Sequence, residues 1–458
     1  MADRAAFPSG SPPRSLRTRL VTLAAQAKRS RLVDLSLRYN PLFRPTVLRR
    51  IRQAEASGLE GRRRLSDTLA ASIVAAARRT DYGRQFDGAI GDWPILSKRE
   101  VRDDPARFGT RGVVTVPAAT GGTTGLPLKL ERSARCIAAE QAFLDHIIRA
   151  AGFTWRHARV ASLRGDNVKS TLDWSPPFGE EIQGGRRLLL SSAHLNATTV
   201  PWYHDRLRDF APDLLWAYPT TVTSLLRLLS AQQLKLRIPL ILCSSERLTG
   251  AAMSRLAEGF DAKVIDYYGL AERVCLAVSD TPDRHFFHPA YGKVELLPAG
   301  SDAESGPWRQ MRIIATGFWN EAMPLIRYET GDCALVPRDA TAAEIEAIEL
   351  GLAPFAGVAG RLSDFLYARD GGRLGGIDQI PREVDHLLQI QVIQDSLDLV
   401  TIKALVAPGF GPPDQARLEA NARLKIPSPA QIRLEIVDRL ESTDSGKTPY
   451  VIRRIEEP

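Results

Sequence analysis

Hydrophobic positions along the chain change period several times. Ser133–Ala150 places Ile137, Phe143, Leu144, Ile147 and Ile148 at helical spacing and closes on Gly152, which predicts a helix. Residues 66–80, opening on Ser66-Asp67 and running through Ala70, Ile73 and Val74, predict another, and Trp93-Pro-Ile-Leu-Ser-Lys98 a turn into a third. Short apolar runs then alternate with helical stretches. Val160–Leu163, Leu214–Tyr218, Ile238–Cys243 and Lys263–Tyr267 are expected strands, with helices at Val222–Leu229 and Ala251–Gly259, and Val294–Leu297 and Met311–Ala315 continue the β-type pattern. Such alternation argues for an α/β fold with mixed or largely parallel sheets. Near Gly360 the pattern changes. A polar, Ala/Glu-rich patch (Thr341–Leu350) precedes it. Strands around Ile390–Ile393 and Leu399–Leu405, a helix over Asp414–Leu424 and a strand over Gln431–Val437 come after it. The expected organisation is a basic helical segment (1–64), a large domain (65–360) and a small α+β C-terminal domain (361–458), a size at which a domain can carry its own core.

Composition narrows the class. At 458 residues with 44% hydrophobic and 25% charged content, the chain has the make-up of a globular protein of more than one domain. No apolar run reaches the roughly 18 residues of a membrane span, and Met1–Pro13 lacks the apolar core of a signal peptide. Cys136, Cys243, Cys275 and Cys333 stand far apart, which suits reduced thiols in a cytoplasmic protein. The net charge of +8 is concentrated: residues 1–64 hold fifteen Lys/Arg against four acids, leaving the remainder at about −3. Leu16, Leu20 and Leu23, then Leu32 and Leu35, keep a loose helical period there, so a solvated amphipathic helix pair outweighs a nucleic-acid surface or a transit peptide. Nothing in the sequence sets the oligomeric state, and a homodimer is compatible with it.

Five polar stretches carry candidate chemistry. Between Val113, Val114, Val116 and Leu128–Leu130 lies Thr120-Gly-Gly-Thr-Thr-Gly125, whose glycines and hydroxyls can turn N–H and O–H donors toward phosphate. It lacks the Gly-Lys-Ser/Thr of a P-loop. Asp266-Tyr-Tyr-Gly-Leu-Ala-Glu272 ends an expected strand, where α/β sheets collect ligands; Tyr268 could stack on a purine and Glu272 could hold a divalent cation. Ile326-Arg-Tyr-Glu-Thr-Gly-Asp332 places Asp332 at the end of an apolar strand, a carboxylate able to accept from both ribose hydroxyls. Gly360-Arg-Leu-Ser-Asp364 sits on the expected domain junction, with Arg361 able to reach ribose or phosphate. Asp444-Ser-Gly-Lys447 offers an ammonium on a turn, in a chain with only ten lysines. His285-Phe-Phe-His288 with Cys275 is too sparse for a zinc site.

In this order and spacing the five stretches resemble the adenylate-forming (acyl-activating) enzymes, most closely the phenylacetate–CoA ligase and CapK-like branch. Leu215-Trp-Ala-Tyr-Pro-Thr220, Ile241-Leu-Cys-Ser-Ser-Glu246 and Ala290-Tyr-Gly-Lys-Val-Glu295 add to the likeness, which runs from about Trp93 to the C-terminus. The resemblance implies a large domain, a small mobile lid and an active site between them. There a carboxylic acid would attack Mg·ATP to give acyl-AMP and pyrophosphate, and a thiol, most often coenzyme A, would displace AMP. It implies that Thr120, Gly121, Gly122, Thr123, Thr124 and Gly125 wrap the phosphates, and that Tyr267, Tyr268, Gly269, Asp332 and Arg361 hold the nucleoside. Glu272 would bind Mg²⁺, Ser363 would mark the hinge, and Tyr218, Pro219, Ser244, Ser245 and Leu270 would border the acyl pocket. Ala271 and Ser363 depart from the family pattern, which often has a hydroxyl residue and an acid at these positions. Trp174, Phe178, Trp202, Tyr203 and Tyr218 hint at an aromatic or apolar acid. Alternative acceptors are a carrier-protein phosphopantetheine, which Arg49, Arg50 and Arg62–Arg64 would suit, or an amine; a catalytically silent interaction protein is the alternative from another class.

A carboxylate attacking a polyanion meets like-charge repulsion, and the resemblance gives Lys447 the task of bridging the two anions. Losing one such preorganised group costs about 3–4 kcal/mol of transition-state stabilisation. Lys447→Ala is therefore expected to slow acyl-adenylate formation by about two or more orders of magnitude with little change in substrate binding. Undiminished pyrophosphate exchange in the variant would refute the role.

Overall fold

Among the described residues, alternation of strand and helix resolves into an eight-stranded sheet, a five-stranded sheet and a two-stranded hairpin in the large body, and a four-stranded sheet with a two-stranded pair in the C-terminal unit. The structure is a computed structural model. It describes residues 31–119, 128–164, 168–170, 173–299, 304–305, 307–359, 366–368, 373–374, 377, 380–381, 384–406, 408–426, 430–442 and 448–455. Three helices lead: α1 (Arg31–Arg38), α2 (Arg44–Glu55) and α3 (Leu59–Ala77). The short α4 (Lys98–Asp103) comes next, started by a capping box in which Ser97 and Glu100 satisfy each other's backbone N–H groups. A hairpin of β1 (Thr115–Ala119) and β2 (Lys129–Ser133) flanks the Gly/Thr stretch, with Ala119 opposite Lys129, and leads into α5 (Ala134–Ala150), capped by Ser133.

The large sheet contains β3 (Val160–Leu163), β4 (Gly179–Ile182), β5 (Arg187–Leu190), β6 (Leu214–Ala217), β7 (Leu240–Ser244), β8 (Lys263–Gly269), β9 (Leu276–Ser279) and β10 (Phe286–Phe287). Its order is β10-β9-β8-β7-β6-β3-β5-β4, with β5, β3, β6, β7 and β8 parallel and both edges antiparallel. One face packs on α6 (Val200–Phe210), α7 (Pro219–Ala231) and α8 (Gly250–Phe260). The other faces α3, α5 and a second, antiparallel sheet, and here lies the largest core. That sheet is β11 (Gly292–Pro298), β12 (Glu304–Ser305), β13 (Trp308–Gly317), β14 (Tyr328–Pro337) and β15 (Gly357–Ala359). The Ala/Glu-rich patch is a helix, α9 (Ala342–Glu349), begun by a Thr341/Glu344 capping box.

The C-terminal unit holds a two-stranded pair, β16 (Leu366–Tyr367) and β17 (Arg373–Leu374). Its main sheet is β18 (Leu387–Ser396), β19 (Leu399–Val406), β20 (Gln431–Ile436) and β21 (Val451–Arg453), ordered β20-β19-β18-β21. Helix α10 (Pro412–Lys425) supplies Leu418 and Ala422 to a separate apolar cluster with Ile390, Val392, Val400 and Ile402. This is the large-plus-small α/β architecture expected.

The basic segment differs from a detached, solvated helix pair in its described part. α3 runs unbroken through residues 64 and 65, and α1 and α2 pack on α5 through Arg38–Gln141 and Arg44–Asp145 contacts of 3.0 and 2.7 Å. Arg62 donates to Leu350 O and Gly351 O, while Arg63 pairs with Glu346 and Glu60. Of the arginines suited to carrier docking, Arg62 is thus committed to the body, while Arg64 stays exposed and pairs only with Glu60 on its own helix.

At one point in the second sheet the packing admits only glycine. Gly292 and Gly317 face each other across β11 and β13, and the backbone of Arg273-Val274 runs directly over the pair. A Cβ at Gly292 would collide with Val274 O, and one at Gly317 with Arg273 O. The missing side chains are what permit this approach. Gly292→Ala should destabilise the protein by about 1–3 kcal/mol in urea titration, the usual cost of overpacking. An unchanged midpoint would show that the crossing segment yields freely.

Candidate active site

The carboxyl ends of β3, β6, β7 and β8 lie along one edge of the large sheet, the position at which α/β sheets bind ligands. β8 delivers Tyr267, Tyr268 and Gly269 to this edge. Tyr267 is buried, and its hydroxyl donates to Glu140 Oε1 at 2.5 Å from α5. Glu140 also accepts from Tyr291 at 2.6 Å and from the Arg273 guanidinium. Burial alone would raise the Glu140 carboxyl; the Arg273 charge and the two phenols overcome it and hold the group below the usual carboxylate range. The acid is therefore an ionised anchor beneath the turn, not a nucleotide contact, and Tyr267 serves that anchor.

Tyr268 points the other way. Its hydroxyl donates to Asp332 Oδ2 at 2.9 Å, so two residues sixty-four apart in sequence meet. Burial, then the Asp332 charge, push the phenol up, which keeps it a donor. Asp332 is placed by a bulge: Arg312 pairs with Cys333 and Ile314 with Glu329, so Thr330-Gly331-Asp332 oppose the single residue Ile313. Gly331 takes the left-handed conformation (φ +78°) there, and Thr330 Oγ1 accepts from Asp332 N–H while donating to Ile313 O. The sequence pattern placed Asp332 at a strand end. β14 instead continues to Pro337, and the bulge in its course is what turns the carboxylate toward Tyr268.

Glu272 is buried, with Oε1 accepting from the Tyr328 hydroxyl at 2.8 Å and facing Lys98 Nζ at 3.5 Å. Lys98 arrives because Leu96 forms a one-residue parallel bridge to Tyr328, exchanging backbone hydrogen bonds with Arg327 and Glu329. Arg132 on β2 donates to Ala271 O at 2.6 Å, so the hairpin flanking the Gly/Thr stretch is fastened to the same turn. As an acceptor site Glu272 fits Mg²⁺, which binds proteins through one or two carboxylates and takes its other ligands from phosphates and water.

The strand ends toward β3 carry the proposed pocket border. Tyr218 is buried at the start of α7, whose first residue is Pro219. Glu246 accepts from Thr220 N–H and hydroxyl at 3.1 and 2.6 Å. Ser244 Oγ accepts from Trp216 Nε1 at 2.9 Å; Ser245 is exposed, with φ +73°, and Leu270 is half-buried. Phe178, Trp202 and Tyr203 are elsewhere: they pack on one another in the core beneath the sheet's other face, while Tyr218 follows β6 at the carboxyl edge. Trp174 packs edge-on against His194. Thr120–Gly125, Arg361, Ser363 and Lys447 lie outside the described residues. His285 pairs with Asp266 at 2.9 Å, while His288 is half-buried edge-on to Phe143, its imidazole pushed down to about 3 by loss of water around the ring.

Lys98, Arg132, Glu140, Arg273 and Tyr328 escaped the sequence reading as site residues. Lys98 and Tyr328 each sat inside a quoted stretch, where a lone cation and a phenol beside the acids were the available signal. Glu140 gave none, since Gln141, Asp145 and His146 are polar in the same helix and nothing local singles one of them out.

Comparison with known proteins agrees with this picture. Residues 366–454 match the family described as the CapK C-terminal domain. Over 374 residues the chain is 19% identical to protein CapK of Staphylococcus aureus, covering 80% of this chain and 81% of that one. It is 26% identical over 193 residues to phenylacetate-coenzyme A ligase of Thermus thermophilus, covering 40% of each. Among solved structures, 2-hydroxyisobutyryl-CoA ligase in its postadenylation state with 2-HIB-AMP superposes with a TM-score of 0.53 at 15% identity, covering 90% of this chain and 89% of that one. The complex with R3-HIB-AMP gives 0.52 at the same identity and coverage. The chain is thus similar to CapK and phenylacetate–CoA ligase and has the fold of the adenylate-forming enzymes, as its motifs suggest.

The Glu140 cluster generates a direct test. Glu140→Leu leaves Arg273 buried without its counter-charge and should cost about 3–5 kcal/mol of stability. Tyr267→Phe removes one hydrogen bond to a charged group and should cost about 1.5–3 kcal/mol. Denaturant titrations giving equal, small losses would show that the cluster is not the anchor described.

Proposed function

We propose that the protein activates a carboxylic acid with ATP, releasing pyrophosphate and forming an acyl-adenylate, and then passes the acyl group to the thiol of coenzyme A. What carries this reading is the contact between Tyr268 and Asp332 beside the buried Glu272, at the carboxyl edge of a sheet with the adenylate-forming fold. In this reading Tyr268 presents an aromatic face to adenine. Asp332 accepts from ribose hydroxyls, an ionised carboxylate having about four lone-pair sites, and one of them is already committed to Tyr268. Glu272 holds the magnesium of Mg·ATP, and that ion, when bound, neutralises phosphate charge. Tyr328 and Lys98 keep the Glu272 carboxylate oriented, and Lys98 adds positive charge where an acid must approach phosphate. Thr120–Gly125 wrap the outer phosphates, Arg361 contacts the nucleotide, and the unit from 361 to 458 turns about Ser363 to bring Lys447 in for adenylation.

The experiment is incubation with Mg·ATP and a panel of acids, with and without coenzyme A, measuring pyrophosphate release, acyl-AMP by mass, and thioester. Acid-dependent pyrophosphate without coenzyme A, and thioester with it, are expected. Asp332→Asn should raise KM for ATP about 10–100-fold, the equivalent of a hydrogen bond to a charged group, with a smaller effect on kcat. Pyrophosphate release that no acid stimulates, with no acyl-AMP, would refute the reading.

A further inference from the structure

Strand β20 ends the C-terminal sheet: β19 pairs with it on one side, and no strand among the described residues pairs with it on the other. Gln431 N–H donates to Asp398 O and Val437 N–H to Ala404 O, so the odd-numbered residues turn their N–H and C=O groups toward β19. Backbone groups alternate sides along a strand, which leaves those of Ile432, Leu434 and Ile436 pointing out from the sheet. Side chains alternate between the two faces as well. Ile432 and Leu434 pack on the apolar cluster of this unit, while Gln431 and Arg433 are exposed and Glu435 half-buried on the opposite face. Neither Arg433 nor Glu435 forms an ion pair with a described residue, and Lys403, opposite Glu435 on β19, is taken by Glu441. The two large apolar side chains most exposed in this unit, Leu424 at 80% and Ile436 at 57%, belong to α10 and β20, which pack together.

We propose that β20 is an interface at which a second copy of this chain adds its own β20, antiparallel about a two-fold axis at Leu434, so that the two four-stranded sheets become one. Backbone direction and charge select this register together. Antiparallel partners exchange hydrogen bonds between residues that both face the shared edge, so the symmetric registers overlapping most of the strand centre on residue 433, 434 or 435. Centring on 433 sets Arg433 against its own copy, and centring on 435 does the same with Glu435; like charges directly opposite repel. Centring on 434 sets Arg433 opposite Glu435 on each side of the axis, in the closer, non-hydrogen-bonded pairs. Ile432, Leu434 and Ile436 then exchange backbone bonds with Ile436, Leu434 and Ile432 of the second copy. Ile436 comes to lie beside Ile432 on the apolar face, which takes its exposed side chain out of water. Edge strands that resist association carry lysine, proline or a bulge. β20, Gln-Ile-Arg-Leu-Glu-Ile, has neither residue, and its register with β19 is unbroken.

Sedimentation of the full chain over a concentration series tests this, and the wild type is expected to dimerise. Arg433→Glu and Glu435→Arg, each alone, set like charges in both pairs and should raise the dimer Kd about 10–100-fold. Mixed with each other, the two variants regain opposite charges in both pairs and should associate about as tightly as the wild type does with itself. Hydrogen exchange gives a reading that needs no substitution and still decides should a variant fail to fold. The amides of Ile432, Leu434 and Ile436 are expected to exchange slowly in concentrated wild type and fast in dilute. A wild type that stays monomeric with these amides fast, leaving the edge to a strand of another protein, overturns the inference. A dimer that neither single substitution weakens overturns it too, as does a mixture of the two variants that fails to associate. Slow exchange at every concentration would mean that a segment of the same chain covers the edge, and is equally against it.

Discussion

A buried carboxylate, Glu140, is the point on which the site depends. Two phenols and a guanidinium converge on it from β8, from the start of β11 and from the turn between β8 and β9. Removing a carboxylate from water costs several kcal/mol even after relaxation, and a single partner seldom recovers that. Three charge-assisted hydrogen bonds do so here, and each originates on a different piece of backbone. The arrangement therefore fixes where the turn carrying Glu272 sits relative to α5 and to both sheets of the large body. Arg273 adopts φ +59°, a conformation non-glycine residues hold only when their surroundings compel it; the guanidinium contact with Glu140 supplies that compulsion.

The same turn is constrained from its other side. Val274 crosses the Gly292–Gly317 pair with no room for a methyl group, and Arg132 holds Ala271 O. Between these restraints Glu272 has little latitude, and its own oxygen is held by Tyr328. Rigidity of this kind suits chemistry that depends on charge developing at fixed distances, because preoriented groups need no reorganisation as reaction proceeds. It also explains how residues 98, 132, 140, 272 and 328 come together: four are delivered by helices or strands whose register is set elsewhere, and the turn carrying Glu272 is held among them.

How much of this could be read from the chain depends on the range of the interactions involved. The strand ending in Tyr267-Tyr268-Gly269 was legible because an apolar run stopped at aromatics and glycine, a local signal. The Ser97 and Thr341 helix starts carry equally local capping boxes, although the stretch after Thr341 was read only as a polar, Ala/Glu-rich patch. Asp332 was legible as a candidate but not in its setting, since the bulge exists only through the mismatch with Arg312 and Ile314 on a partner strand. Lys98 reaches Glu272 across 174 positions through a one-residue bridge, and Glu140 acts across 127 and 133; no periodicity encodes such pairs. The aromatics at 178, 202 and 203 misled for the converse reason: type without position does not separate a core stack from a pocket wall.

Burial divides the polar contacts into two groups with different consequences. In the Glu140 cluster the carboxylate and both phenols are buried, and only the Arg273 side chain keeps some exposure, 21%. Lys98 is about a third exposed at its side chain, and Tyr268 is only half-buried; their partners Glu272 and Asp332 are the carboxylates that a magnesium-bound nucleotide would engage. On the proposed reading the Lys98–Glu272 contact can be traded for ligand contacts at modest cost, because the lysine is partly exposed and a 3.5 Å ion pair is not a tight one. On the proposed reading, such a site would keep its frame while Glu272 and Asp332 change partners. That division, set by which side of the β8–β9 turn a residue falls on, is the physical link between the fold and the chemistry proposed for it.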